Sequence, residues 1–136
     1  MVYLIDFGIS TIWKEDSIQT RSGKYVGTSR YSSINGHNCY NQSRKDDLES
    51  LGYVLIYLAK GRLPWQGIIE KNLRKKWNRV RNIKEIIGNK TLCKGLKKCY
   101  YYYMKYVQTL KFHDKPDYSY LKNLFNKYTK DITIFY

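Results

Sequence analysis

The stretch Gln42-Ser-Arg-Lys-Asp-Asp-Leu-Glu-Ser-Leu-Gly-Tyr-Val-Leu-Ile-Tyr-Leu-Ala-Lys-Gly61 decides the fold. Its opening, Ser43-Arg-Lys-Asp46, offers hydroxyl and carboxylate acceptors for the free N–H groups of a first helical turn. The segment after it is apolar nearly all round: Leu48, Leu51, Tyr53, Val54, Leu55, Ile56, Tyr57 and Leu58 cover every side of a wheel with 3.6 residues per turn. A helix with no polar stripe is a buried central helix wrapped by other elements, or a poor structure on its own. The spacing therefore predicts a buried central helix over Leu48–Leu58, ended by Gly61 and Pro64. The longest apolar run, Leu51 to Ala59, has about half the length that spans a bilayer, which excludes a membrane helix here. Asp46 and Asp47 place negative charge where a helix dipole favours it.

Outward from this segment, Gly67 is read as opening a strongly basic helical stretch. Eleven basic residues and one acid, Glu85, lie between Lys71 and Lys98, and Leu73, Trp77, Val80 and Ile83 recur on one face. A third helix is predicted over Leu96–Leu110, with Tyr100, Tyr103, Val107 and Leu110 facing inward. A fourth comes after Pro116-Asp117, using Tyr120, Leu121, Leu124, Phe125 and Tyr128, with Pro116 suited to its start. On the other side, Val2-Tyr-Leu-Ile5 reads as a short strand ending at Asp6-Phe7-Gly8, and Ile9 to Tyr25 as an aperiodic loop. With no repeat and no boundary, residues 1–136 read as one mainly α unit.

Hydrophobic content of 43% with 16% aromatics supports a core-forming chain rather than a disordered one. A net charge of +14 points to anionic partners: acidic or phosphorylated protein, nucleic acid or an anionic lipid surface. A basic nucleic-acid-binding helical protein is thus one reading, although the aromatic residues fall at core spacing rather than as a stacking platform. Cys39, Cys93 and Cys99 form no CxxC pair and no metal-ligand spacing, so they read as packing residues of a reducing compartment, cytoplasmic or nuclear. The apolar stretch Val2 to Ile5 is too short for a signal peptide. His37 and His113 are isolated and read as ordinary polar residues.

Several motifs occur in one order: Asp6-Phe7-Gly8, Tyr25-Val-Gly-Thr-Ser-Arg-Tyr-Ser-Ser-Ile-Asn35, Gln42 to Leu55, Leu63-Pro-Trp-Gln-Gly67, Leu92-Cys-Lys-Gly95 and Pro116-Asp-Tyr118. Asp-Phe-Gly alone carries little, since composition puts it in roughly one chain in sixty of this size. The whole set, with its spacing, resembles the C-terminal lobe of casein kinase 1, a serine/threonine protein kinase family. Ser33-Ile34-Asn35 stands where most protein kinases carry Ala-Pro-Glu, a replacement peculiar to that family. The resemblance runs from Val2 to Phe125. It implies an activation segment over residues 6–35, a buried central helix and three or so surrounding helices.

The resemblance also implies roles for single residues. Asp6 would coordinate the Mg²⁺ that bridges ATP phosphates, with Phe7 packed beneath it and Gly8 letting the backbone turn. Asp47 would hydrogen-bond the backbone of a catalytic loop, the alternative being a plain helix-start charge. Arg30, Gly67 and Lys76 would form an anion pocket from a guanidinium fork, a backbone amide at a helix start and an ammonium, reading acidic or phosphorylated protein substrates. Thr28 would shape the site of the substrate hydroxyl. Asn72-Leu-Arg-Lys-Lys76 falls where the family has a patch resembling a nuclear-localisation signal, or is simply a solvated face. Departures are an activation loop about five residues short, Thr11 or Ile12 in place of a lysine, and Gln108 in place of an arginine.

The Gly-rich loop, the strand lysine with its helix glutamate, and the catalytic-loop Asp and Asn of a protein kinase have no counterpart in these 136 residues. ATP and Mg²⁺ are expected in a complete kinase and are not expected to bind well to this chain, which alone should transfer no phosphate. In a full kinase, helices preceding Asp-Phe-Gly sheathe the central helix. Without them several hundred Å² of apolar surface would lie bare, forgoing on the order of 10 kcal/mol at about 25 cal/mol per Å². The missing N-terminal half or a chaperone is then an expected partner. A non-catalytic, pseudokinase-like lobe that binds acidic or phosphorylated proteins is the second reading.

Overall fold

The computed structural model describes residues 3–129. Six helices succeed one another: α1 (Ile34–His37), α2 (Arg44–Lys60), α3 (Leu73–Ile86), α4 (Asn89–Leu92), α5 (Lys98–Thr109) and α6 (Tyr118–Thr129). The chain is mainly helical, and among the described residues the only extended pairing is an isolated antiparallel bridge between Arg21 and Tyr40. None of its described helices is long and apolar enough to cross a membrane.

α2 starts where its sequence provides reciprocal capping, with the Ser43 N–H donating to Asp46 Oδ2 at 2.9 Å. It stops at Gly61, whose left-handed φ of 75° lets its N–H turn back to the Tyr57 carbonyl. α2 packs chiefly on α5, and the two approach closely because Gly52 has no side chain. A Cβ there would collide with Met104 Sδ and press on the Tyr103 ring. The Tyr103 hydroxyl then donates to the Leu48 carbonyl at 2.9 Å, tying the same two helices. Tyr53, Ile56, Trp65, Val80, Leu92, Val107 and Leu121 complete the core around this contact.

The central helix is buried on one side only. Gly52, Tyr53 and Ile56 face the core, whereas Leu51 is 45% and Leu58 72% exposed, and Val54 and Leu55 are half-buried. The helix is thus not buried all round: among the described residues no element covers the Leu51–Leu58 side, which leaves bare apolar surface of the kind also expected from the sequence.

α3 carries the expected apolar face, with Trp77 and Val80 buried, and Asn72 Oδ1 caps it by accepting the Lys75 N–H at 3.0 Å. The helix does not open at Gly67. Residues 64–67 form a turn in which Gly67 has a φ of 79°, a left-handed conformation that cannot begin an α-helix, and the chain reaches Leu73 before coiling. The break at Gly88 then separates α3 from α4. α5 buries Tyr103 and Val107, with Leu110 buried just past its end. Tyr100 is half-buried, edge-on to Phe125. In α6, Leu121 is buried and Tyr120 is 38% exposed with its ring 5.0 Å from that of Tyr106; the Asp117 carboxylate accepts the Tyr120 N–H at 2.8 Å.

Among the described residues the predicted strand does not form. Tyr3, Leu4 and Ile5 are 74–83% exposed and pair with nothing among the described residues, while Val2 lies outside them. A β-branched run forms a strand only where a neighbouring backbone completes the ladder.

Candidate functional site

Residues 28–37 fold into a tight arch. The Thr28 carbonyl accepts the N–H groups of both Tyr31 and Ser32, at 3.0 and 3.1 Å. Ser33 Oγ then caps α1 by accepting the Gly36 N–H, and the Ile34 N–H donates to Glu49 Oε1 at 3.0 Å. Arg30 projects from this arch, its own carbonyl held by the Trp65 indole N–H at 2.8 Å. The guanidinium lies 5.8 Å from the Tyr31 ring centre and 5.7 Å from that of Tyr57, so it is fixed by aromatic faces while staying exposed.

Arg30, Gly67 and Lys76 line one pocket of about 120 Å³, together with Thr28, Ser29, Trp65, Gln66, Ile68 and Val80. The three residues come from the arch, the Pro64–Gly67 turn and the end of the first turn of α3. Among the described residues no carboxylate lines the pocket, so none of them neutralises the charge of Arg30 and Lys76 within it. Its volume is well below the roughly 300–1,000 Å³ of small-molecule sites. The pocket suits a single small anionic group rather than a nucleotide. Gly67 contributes to it from a turn, not from a helix N-terminus as the sequence suggested.

Beneath the pocket lies a buried polar cluster that sequence reasoning misses. Lys84, only 3% exposed, donates from Nζ to the Ser29 carbonyl at 3.0 Å and the Ser32 carbonyl at 2.6 Å, and meets His37 Nε2 at 3.1 Å. The same ammonium sits 4.6 Å from the Tyr53 ring centre and 4.9 Å from that of Trp65. Burial draws the Lys84 pKa down to about 7, opposed by the charge of Glu49. Glu49 is itself buried, which raises its pKa, while hydrogen bonds from the Tyr53 hydroxyl (2.7 Å) and the Ile34 N–H favour its charged form. His37 is 2% exposed, with its ring against Trp77; burial and then the Lys84 charge pull its pKa to about 3, which keeps it neutral. Its isolation in the sequence, read as that of an ordinary polar residue, gave no sign of this buried position. Lys84 has one sequence signal, since it stands four residues after Val80 and seven after Trp77, on the inward face of α3.

The other expected residues are scattered. Asp6 is exposed at a φ of 63°, and its Oδ1 accepts the Gly8 N–H at 3.1 Å. The Ser10 N–H closes a turn through Gly8 on the Phe7 carbonyl, and a Cβ at Gly8 would press on Asp6 Oδ1 at 3.1 Å. Phe7 is not packed beneath it but 65% exposed, because no apolar surface among the described residues reaches it. Asp47 faces solvent in the first turn of α2, and no hydrogen bond holds its carboxylate among the described residues. Partial desolvation and then the Asp46 charge raise its pKa. Asp46, by contrast, is fully buried in the capping box.

The described residues include no cluster of three His, Cys, Asp or Glu side chains able to hold a metal ion, and Asp6 belongs to no such group. A lone carboxylate already engaged with Gly8 does not fit a Mg²⁺ site, so no step is derived through that ion. Cys93 and Cys99 are buried and free, and burial pushes the Cys93 thiol up to about 11, far from a nucleophile's range. No protein-family model matches the sequence. Function is therefore to be sought in the pocket and its chemistry.

Proposed function

We propose that the chain is the C-terminal lobe of a casein-kinase-1-like serine/threonine protein kinase, and that its Arg30–Gly67–Lys76 pocket receives a phosphate or carboxylate of an acidic or phosphorylated protein substrate. The motif order supports the first part. The second is carried by one observation: two cations from separate elements converge on a small pocket whose described lining contains no acid. A guanidinium can meet a tetrahedral anion with two parallel N–H donors, and an ammonium adds a point charge from another direction. In this reading the lobe docks and orients the substrate, and phosphoryl transfer from ATP belongs to the complete kinase. The pseudokinase-like alternative shares the docking step and lacks the transfer. The nucleic-acid reading is weaker, because Trp65 and Trp77 are buried and cannot stack on bases.

Calorimetric titration of the chain with an acidic peptide carrying one phosphoserine tests the proposal. Arg30→Ala should weaken binding about tenfold or more, the scale of one lost charge-assisted contact. Equal affinity for Arg30→Ala and the unaltered chain would refute the pocket reading.

A further inference from the structure

Arg30 is set in place from behind. Its carbonyl accepts from Trp65 Nε1, and the carbonyls of Ser29 and Ser32, on either side of it, accept from Lys84 Nζ. Lys84 lies outside the pocket, yet it grips the backbone that carries the pocket's guanidinium. It also sits over the Trp65 ring, the group whose N–H restrains Arg30 itself. We propose that Lys84 is a positioning residue for anion binding, holding the Ser29–Ser32 arch so that Arg30 points into the pocket. This inference rests on the pocket reading and extends it to a residue that never touches the anion.

The geometry makes that grip depend on the lysine's proton. A protonated amine presents three N–H groups, matching its three neighbours: the Ser29 carbonyl, the Ser32 carbonyl and His37 Nε2. Loss of the proton leaves two donors and abolishes the cation's attraction to the Tyr53 and Trp65 faces. The titratable groups facing Lys84 are Glu49 and Tyr53 from α2 and His37 from α1, with Arg81 of α3 acting on His37. Glu49 favours the charged lysine. His37 stays neutral above its lowered pKa of about 3 and does not change state near neutrality. Because burial brings Lys84 into that range, anion affinity should be full below pH 7 and fall as pH rises through it. A lysine with a purely structural role would leave affinity independent of pH.

The test uses the full chain and a peptide bearing one sulfotyrosine, whose charge is constant from about pH 6 to 8.5. The quantity read is the Arg30-dependent part of binding, taken against Arg30→Ala. Affinity of the unaltered chain should weaken about tenfold across this range, as charge-assisted bonds become neutral ones. Lys84→Arg, which stays protonated, should bind with a flattened profile. Lys84→Met, verified as folded by circular dichroism, should be weak at both ends. A flat profile for the unaltered chain overturns the inference, as does undiminished binding by folded Lys84→Met. If Lys84→Met does not fold, the profile of the unaltered chain decides alone. Equal binding by Arg30→Ala and the unaltered chain at every pH refutes the pocket reading itself, and this inference with it.

Discussion

Two stretches of the region before α2 lack long regular structure, yet they are held very differently. Residues 28–37 are anchored by buried partners: Lys84 on two carbonyls, Glu49 on the Ile34 N–H, and Trp65 on the Arg30 carbonyl. Residues 3–18 show Tyr3, Leu4, Ile5, Phe7, Ile9, Ile12 and Ile18 to solvent. Their main anchor is Trp13, packed against Phe112 at 5.3 Å and under the Arg44 guanidinium at 5.1 Å. The first stretch is the more polar of the two in its buried contacts and the more firmly placed. Apolar residues order a loop only where a surface exists to cover them, whereas a few buried donors and acceptors can fix backbone groups one at a time.

The largest effect should come from removing the acceptor at the centre of the ordered stretch. Glu49→Ala leaves the Ile34 N–H and the Tyr53 hydroxyl without their acceptor and strips Lys84 of its countercharge, so it should lower stability by about 3–5 kcal/mol in urea unfolding. A loss below about 1 kcal/mol would mean that the cluster does not hold the arch.

A smaller, graded effect should come from acid. His37 titrates near 6.5 when unfolded and near 3 when folded, so the unfolded chain binds the extra proton between these values. Its contribution is complete above pH 6.5 and shrinks as pH falls, by about 2 kcal/mol between pH 6.5 and 5 at roughly 1.4 kcal/mol per unit. Melting followed across this window should flatten in His37→Gln; an unchanged slope would assign the acid sensitivity elsewhere.

The smallest effect is expected from Trp13→Ala. Global stability should drop by about 1 kcal/mol or less, because one half-buried ring is lost from a surface contact. Amide exchange over residues 9–20 should quicken while that of residues 29–37 stays slow. Equal quickening of both would erase the distinction between the two stretches.

Four of the six described helices are legible in the sequence: α3, α5 and α6 carry apolar residues at helical intervals, and α2 is a long apolar segment between a capping Ser43 and Gly61. α1 is not: four residues are too few for a period to show, and its stability comes from the Ser33 cap. Residue type alone overstates a strand at Tyr3–Ile5, since propensity says nothing about a missing ladder partner. Gly67 reads as a helix start because the sign of its φ is invisible in sequence. At the site, Arg30, Gly67 and Lys76 are reached through a family resemblance, and the structure brings them around one pocket. Lys84, Glu49 and His37 escape a sequence reading because their partners lie far away along the chain, where local pattern carries no information.

The notch at Gly52 gives Met104 an unforeseen use. Its sulfur is entirely shut off from solvent and wedged where α5 meets the bare backbone of α2. Peroxide can reach it only after the two helices part, and an added oxygen has no room to be taken back in. With no reductase present, the fraction of molecules carrying sulfoxide at that one position would thus report the share whose heart has opened at least once.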